Sequence, residues 1–383
     1  MPAMDVRILS HRPDRGWSAP LPADLDSPRT LVLAFAATDY AERGEIWEEL
    51  AGAFGSSHRL GCSSAGEILG ETVTEGSLVL AVVRFERANL ASVAAPIQAV
   101  EVSKSTGGKI ARALAPHAPR LVLVLSDGLH VNGTDLVHGL GEGLPAGTAI
   151  VGGLAGDGDR FGRTWTLVDG VPRSGWVSAV ALGGPVAVGH ASEGGWQPFG
   201  PERVVTGSEG NVLHALDDKP ALALYKDYLG DLAAGLPATA LYYPLSIRMP
   251  GDSGPGIVRT VLGVDEATQS MTFAGDIPLG ARTRLMRSSH DRLVEGAAQA
   301  GKDARADMPD AEPLLAITVS CVGRRMVLGQ RVEEETAATL EALPAGSKQV
   351  GFYSYGEISP SGVATCNLHN QTMTLTTIRE VAA

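Results

Sequence analysis

From residue 30 onward the chain alternates short, almost wholly apolar runs with amphipathic stretches. TLVLAFAAT, starting at Thr30, is a short apolar run and predicts a buried strand. YAERGEIWEELAGAFG follows with helical spacing, placing Ile46, Leu50, Ala53 and Phe54 on one face. HRLGCSSAGEI reads as a strand end followed by a turn of small residues. SLVLAVVRF and LASVAAPIQAV predict two more strands, and residues 103–115 predict a helix. LVLVLSDG predicts another buried strand, TDLVHGLGEGL a helix closed by Gly143, and TAIVGGLAGDG a strand running into a glycine loop. TWTLVDG is read as a strand. WVSAVALGGPVAVGHASEGG is read as antiparallel strands joined by a Gly183-Gly184-Pro185 turn. Strands alternating with helices predict βα units in this half.

The pattern changes across EGGWQPFGPER, residues 193–203, where glycine and proline concentrate. Beyond it, RVVTGSEGNVLHALDD reads as a hairpin turning at Gly210-Asn211, and PALALYKDYLGDL as a helix with Pro220 in its first turn. IVRTVLGVDEATQSMTFAG is a second hairpin and HDRLVEGAAQAGKDARA a helix. LLAITVSCVGRRMVLG is a strand and its exit. VEEETAATLEAL is a helix whose acidic first turn suits its dipole. GFYSYGEISPSGVATCNLHNQTMTL, from Gly351, supplies two final strands. The fold class expected is α/β to α+β: two mixed-sheet modules packed together, the first βα-rich and the second hairpin-rich. One echo links them, since Gly66-Glu67-Ile68 recurs as Gly356-Glu357-Ile358.

Length and composition narrow the function. A chain of 383 residues with 44% apolar residues suits two domains or one large one with a sizeable core. A net charge of −12 argues against nucleic acid or an anionic membrane as partner. Cys62, Cys321 and Cys366 lie far apart with no CxxC, so neither a disulfide framework nor a zinc finger is indicated. The start, MPAMDVRILSHRPDRGW, lacks a signal-peptide core, and the apolar run Val177 to Ala187 is too interrupted to span a bilayer. A cytoplasmic location is expected.

Each cluster with chemistry has a plain competitor. GCSSAGEI gathers Cys62, Ser63, Ser64 and Glu67 around two glycines but lacks the second glycine of a hydrolase elbow. A tight turn with a small buried thiol is favoured, against a nest of N–H and hydroxyl groups for a polar or anionic ligand. VGGLAGDGD places Gly152 and Gly153 before Asp157 without dinucleotide or P-loop spacing. Its glycines allow either close strand packing or approach of a ligand to the backbone. Asp127, His130, Asp135 and His138 read as a solvated helix start rather than a metal site. Cys321 shares an apolar face with Ile317 and Val319, and Arg324 behind it has either an internal carboxylate or a ligand carboxylate as its partner. In the last stretch Tyr353, Tyr355 and Glu357 lie along one side of an extended strand. His369, Gln371 and Met373 share one face of the next, and Asn370, Thr372 and Thr374 the other. Those groups either close a hairpin or orient a small polar ligand.

GFYSYGEISP followed by CNLHNQTMTLTTI resembles the closing motif of the C-terminal module of FIST proteins. SCVGRRMVLGQ, RVVTGSEGNVLHALDDKPALALYKDYL and GDIPLGARTRLMR resemble the same module, while GCSSAGEI and AIVGGLAGDG are similar to the N-terminal FIST module. The resemblance implies an N-terminal extension over residues 1–28, a first module over 29–200 and a second over 201–378. It implies a sensory protein rather than an enzyme, binding a small ligand such as an amino acid or related metabolite between the modules. Output modules of this family include histidine kinases and cyclases; none is recognised up to residue 383, so a separate signalling partner is expected. Some relatives are haem-based nitric oxide sensors. Without CxxCH, haem here would rest on an axial side chain, with His58, His190, His214 and His369 as candidates. A thiol-dependent enzyme using Cys62 or Cys321 is the remaining alternative. The residues assigned to the ligand site are Cys62, Ser63, Ser64, Glu67, Gly152, Gly153, Asp157, Cys321, Arg324, Tyr353, Tyr355, Glu357, His369 and Asn370.

Overall fold

The computed structural model describes residues 4–251, 256–306, 308, 312–361 and 365–381. It is a mixed α/β structure with several mixed sheets, and its organising feature is a unit that occurs three times. In the first unit, strand Thr30–Ala36 runs parallel to His58–Ser63 and antiparallel to Leu78–Phe85, which pairs in turn with Met4–Arg12. In the second, Leu121–Ser126 is parallel to Ala149–Leu154 and antiparallel to Trp176–Gly183, which pairs with Asn89–Pro96. In the third, Leu315–Cys321 is parallel to Lys348–Ser354 and antiparallel to Met373–Glu380, which pairs with Val186–Glu193.

Each unit gives a small hairpin to a neighbour, and the exchange closes on itself. Glu67–Leu69, from the first unit, pairs with Lys348–Ser354 of the third. Gly356–Ser361, from the third, pairs with Ala149–Leu154 of the second. Thr166–Val168, from the second, pairs with His58–Ser63 of the first. Three backbone hydrogen bonds repeat the cycle where the strands end: Ala65 N donates to Tyr353 O (2.9 Å), Gly156 N to Ser63 O (3.0 Å) and Tyr355 N to Leu154 O (3.2 Å). Such pairing satisfies edge groups that each short sheet would otherwise expose.

The apolar runs follow from this arrangement. Leu31, Leu33 and Phe35, Leu121, Leu123 and Leu125, and Leu315, Ile317 and Val319 all enter one shared core between the three sheets. The intervening Val32 and Ala34 pack under helix Gly44–Ala53, with Ile46, Trp47 and Leu50. Val122 and Val124 pack under helices Ser103–Leu114 and Gly133–Gly143. Strands covered on both faces are apolar throughout rather than alternating. Cys62, Gly153 and Phe352 take corresponding places beside Phe35, Leu125 and Val319. A Cβ on Gly153 would meet Val319 at 2.9 Å and Phe352 at 3.3 Å, while one on Gly152 would lie 1.8 Å from Val124 O. These glycines let two strands and an aromatic ring close up.

Residues between Gln197 and Arg287 form a separate eight-stranded sheet with helix Ala221–Leu229, inserted into the third unit. It has its own core of Leu213, Leu222, Tyr225, Met271, Phe273 and Leu285. Both hairpins expected here form, at Gly210-Asn211 and between Val261–Asp265 and Ser270–Phe273.

Two expectations are corrected. Trp176–Gly183 and Val186–Glu193 do not pair with each other. The first is already flanked by Asn89–Pro96 and Leu121–Ser126, so no edge is free, and the chain crosses to another sheet after Gly184. The closing stretch holds four strands rather than two: Lys348–Ser354, Gly356–Ser361, Thr365–His369 and Met373–Glu380. The chain changes sheet at Tyr355 and again at Asn370–Thr372, where Gln371 has a φ of +61°. Tyr353 and Glu357 therefore belong to different sheets, as do His369 and Met373.

Candidate functional site

The hairpin exchange buries carboxyl groups at equivalent places. Glu67 is 1% exposed, and its Oε2 accepts from Ser77 N (3.1 Å) and Ser77 Oγ (2.9 Å). Glu357 is fully buried; its Oε2 accepts from Thr372 N (3.1 Å) and Thr372 Oγ1 (2.8 Å), and its Oε1 from Ser354 Oγ (2.7 Å). Ser77 and Thr372 each precede the antiparallel strand of their unit. The second unit has Gly158 at the matching position and uses Asp127 instead, whose Oδ2 accepts from Gly175 N (3.0 Å). The repeated Gly-Glu-Ile thus marks a structural device. Burial pushes both glutamic acids up to about 8, against the pull of the hydroxyl and amide donors.

Asp157 sits in another loop beside them. Burial raises its pKa, but the Tyr355 hydroxyl and the backbone N–H groups of Arg163 and Gly162 outweigh that and hold it below the usual range. Phe161 stacks on Tyr355, with ring centroids 4.4 Å apart. Arg324 is wholly internal. Its Nε and Nη2 donate to Glu335 Oε2 (3.1 and 2.7 Å), Nη1 to Gly194 O (2.6 Å) and Nη2 to Leu293 O (2.8 Å). Glu335 Oε1 accepts from Tyr353 OH (2.6 Å) and Ser320 Oγ (3.0 Å).

Two cavities open at these strand ends, where ligands of α/β sheets bind. One, of about 670 Å³, is polar and is lined by Ser64, Gly66, Glu67, Asp157, Arg160 and Arg325 among others. The other, of about 840 Å³, is a cleft between the three-unit body and the inserted sheet. Its body side carries Leu129, Val131, Leu154, Cys321, Val322 and Tyr355; its insert side carries Leu236, Leu241, Thr260, Val261 and Phe273. Hydrogen bonds tie the two sides together around it, from Asn132 Nδ2 to Asp276 Oδ1 (3.1 Å) and from Arg259 Nη1 to Leu368 O (2.8 Å).

The structure therefore divides the residues expected at one site. Ser64, Glu67 and Asp157 line the polar cavity, and Cys321 and Tyr355 the apolar cleft. Cys62, Ser63, Gly152, Gly153, Arg324, Tyr353, Glu357, His369 and Asn370 line neither. Ser63 Oγ accepts from Trp165 N (3.1 Å), and His369 Nε2 lies 3.2 Å from Ser359 O, its pKa pushed down to about 4 by burial. Asn370 is buried with neither amide atom hydrogen bonded. The Cys62–Glu67 and Gly152–Asp157 loops do touch, through Gly156 N and Ser63 O. Sequence reasoning missed the cleft walls at Leu129–Gly133, Leu236–Leu241 and Thr260–Leu262. The available signal was position, since Leu129 lies three residues past the end of the buried strand Leu121–Ser126.

Burial disfavours the thiolate at all three cysteines. Burial pushes Cys62 well above the ordinary thiol value, Cys321 up to about 12, where Glu357 adds to the effect, and Cys366 up to about 12. Ellman's reagent at pH 7.5 is expected to leave the native protein unlabelled over minutes and to titrate all three thiols in denaturant. Rapid labelling of Cys62 or Cys321 in the native protein would contradict this.

Comparison with known proteins finds the FIST N domain over residues 30–219 and the FIST C domain over residues 221–360. An uncharacterized protein of Mycobacterium tuberculosis strain H37Rv is 29% identical over 255 residues, which cover 63% of each chain. An uncharacterized protein of Mycobacterium bovis is 30% identical over 228 residues, covering 56% of each. The match thus spans less than two thirds of these relatives' length.

Proposed function

The chain belongs to the FIST family, a family of sensory domains, and on that premise we propose that it is a small-ligand sensor whose ligand occupies the cleft between the three-unit body and the inserted sheet. One observation carries the reading: a cleft of about 840 Å³ at a seam between two separately cored parts. That volume suits a small molecule, and pockets favour such seams. A ligand there touches both sides at once, so occupancy alters how the insert sits on the body, and a separate partner protein reads the change. Among the described residues no helix is long and apolar enough to cross a membrane.

The other readings have less support. None of His58, His190, His214 and His369 lines the cleft, and the Cys321 thiol that does is held protonated. The test is a thermal-shift screen of a metabolite panel on the native protein and on Leu129→Trp. Leu129 is half-buried on the cleft wall, so an indole there adds bulk to the cleft. A ligand at 100 times its dissociation constant stabilises the fold by about 2.7 kcal/mol. Hits are expected to raise the melting temperature of the native protein and to lose that effect in Leu129→Trp. Hits that stabilise both equally would place the site elsewhere.

A further inference from the structure

The chemistry of the cleft walls names the class of ligand, an inference that rests on the cleft being the ligand site. We propose that the ligand is an uncharged, largely apolar small molecule with one hydrogen-bonding group, and not an amino acid or other carboxylate.

Four observations support this. No lysine, arginine or histidine is among the described residues lining the cleft. A carboxylate bound there would lose water and gain no cation, which is strongly unfavourable. The carboxylate side chains on its walls are those of Asp159 and Asp276, and the chain as a whole carries −12, so an anion entering the cleft meets no cationic side chain to offset them. Neither aspartate is set for a cation. Asp276 already accepts from Asn132 and lies beside the buried Arg259, whose Nε is 3.4 Å from Asp276 O, while Asp159 is exposed to water.

The cleft also gathers exposed apolar surface. Val100, Phe161, Leu262 and Met326 are 44%, 47%, 46% and 37% exposed, and all four line it. Such side chains scattered singly need no explanation, but their convergence on one opening marks a binding surface. Phe161 is held there in a left-handed conformation, with φ +48°, by its N–H bond to Asp157 Oδ1 (2.9 Å) and by stacking on Tyr355. Within the walls, Thr260 is 5% exposed and its hydroxyl has no hydrogen-bond partner. A buried hydroxyl without a partner is costly, and a ligand hydroxyl or carbonyl that reached it would supply one.

The experiment uses the neutral, solvent-sensitive dye Nile red with the full chain. Three competitors share one apolar body: 4-phenylbutanol, 4-phenylbutylamine and 4-phenylbutyrate. The dye is expected to bind at one site per chain and to lose at least ten-fold in affinity in Leu129→Trp. Phenylbutanol is expected to displace it at a concentration at least ten-fold below phenylbutyrate and below the amine. Thr260→Val, nearly isosteric, should weaken the alcohol about five-fold while leaving the dye unchanged. Displacement led by phenylbutyrate or the amine, with Leu129→Trp still blocking the dye, overturns the ligand class and leaves the cleft as the site. Dye binding that is absent, or unaffected in Leu129→Trp, overturns the cleft reading itself and the ligand class with it.

Discussion

Glu335→Gln is expected to lower the stability of the unliganded protein by about 3–5 kcal/mol, the range for breaking a buried ion pair from one side. Arg324 and Glu335 are both fully buried, and the guanidinium has no water to turn to when its carboxylate is neutralised. The loss has further parts, since Glu335 Oε1 also holds the Tyr353 hydroxyl and Ser320. Arg324→Met should cost a similar amount, because it strands Glu335 and frees the carbonyls of Gly194 and Leu293. Urea midpoints of the two single variants and the double variant measure the coupling. The double variant should lie closer to the native protein than the sum of the singles, because no unpaired charge remains. The same series addresses the assignment of Arg324 to a ligand site. A ligand-binding arginine would leave the midpoint unchanged on substitution and abolish ligand-induced stabilisation; that outcome would remove the internal role argued here.

Stability is also expected to fall as pH rises from about 6.5 to about 8, and Glu67→Gln with Glu357→Gln is expected to flatten that slope. Both carboxyls titrate near 8 when folded and near the ordinary value of about 4.5 when unfolded. Below the unfolded value both states hold the proton and burial carries no ionic penalty. Between the two values the unfolded chain releases protons that the folded chain keeps, so the folded state binds more and loses ground with rising pH. Above about 8 the folded groups ionise too, and the loss levels off. Across the whole window the effect is on the order of a few kcal/mol per group. His369, pushed down to about 4, acts in the opposite sense below its unfolded value of about 6.5, as do His11 and His58, while the buried thiols add to the fall only as pH nears their unfolded value of about 8.5. Urea midpoints between pH 6 and 8.5 check the result. The double glutamine variant should be the more stable protein at pH 8, since an amide fills the same space without ionising. A native profile flat across that range would mean that the donors from Ser77, Ser354 and Thr372 already hold the carboxylates ionised.

Much of the molecule was legible because its local signals are strong. A run such as Leu121 to Ser126, buried at every position, reads as a strand, and Gly133–Gly143 as a helix, from the spacing of apolar residues. The Gly-Glu-Ile echo was visible too, and the structure gives it equivalent roles, each glutamic acid holding the residue before an antiparallel strand. The candidate site was legible only in part. Ser64, Glu67, Asp157, Cys321 and Tyr355 reach cavities, whereas other polar groups of the closing stretch lie inside the fold, where Glu357 pairs with Ser354 and Thr372 and Tyr353 with Glu335. A polar residue in an apolar run shows that something must pair with it; it does not show whether the partner is a ligand or a neighbouring strand.

Local spacing was enough to find most of the strands and helices, though not Met4–Arg12 or the division of the closing stretch into four strands, and it showed which faces are apolar and which residue triplet recurs. The threefold unit, the cyclic exchange of hairpins and the cleft were decided only by the tertiary structure. Glu67–Leu69 joins a strand whose partners, Val350 to Phe352, lie far along the chain, and Gly356–Ser361 returns to Gly152–Leu154. Strand pairing is made by backbone N–H and C=O groups that every residue but proline carries, so the sequence of a short hairpin does not specify the edge it will join. That choice rests on which edges are already occupied and on how side chains such as Cys62, Gly153 and Phe352 fill one core together. The cleft has the same origin. Its walls come from loops separated widely in sequence, each an ordinary apolar or glycine-rich turn, and their chemistry becomes a binding surface only when the fold sets them face to face.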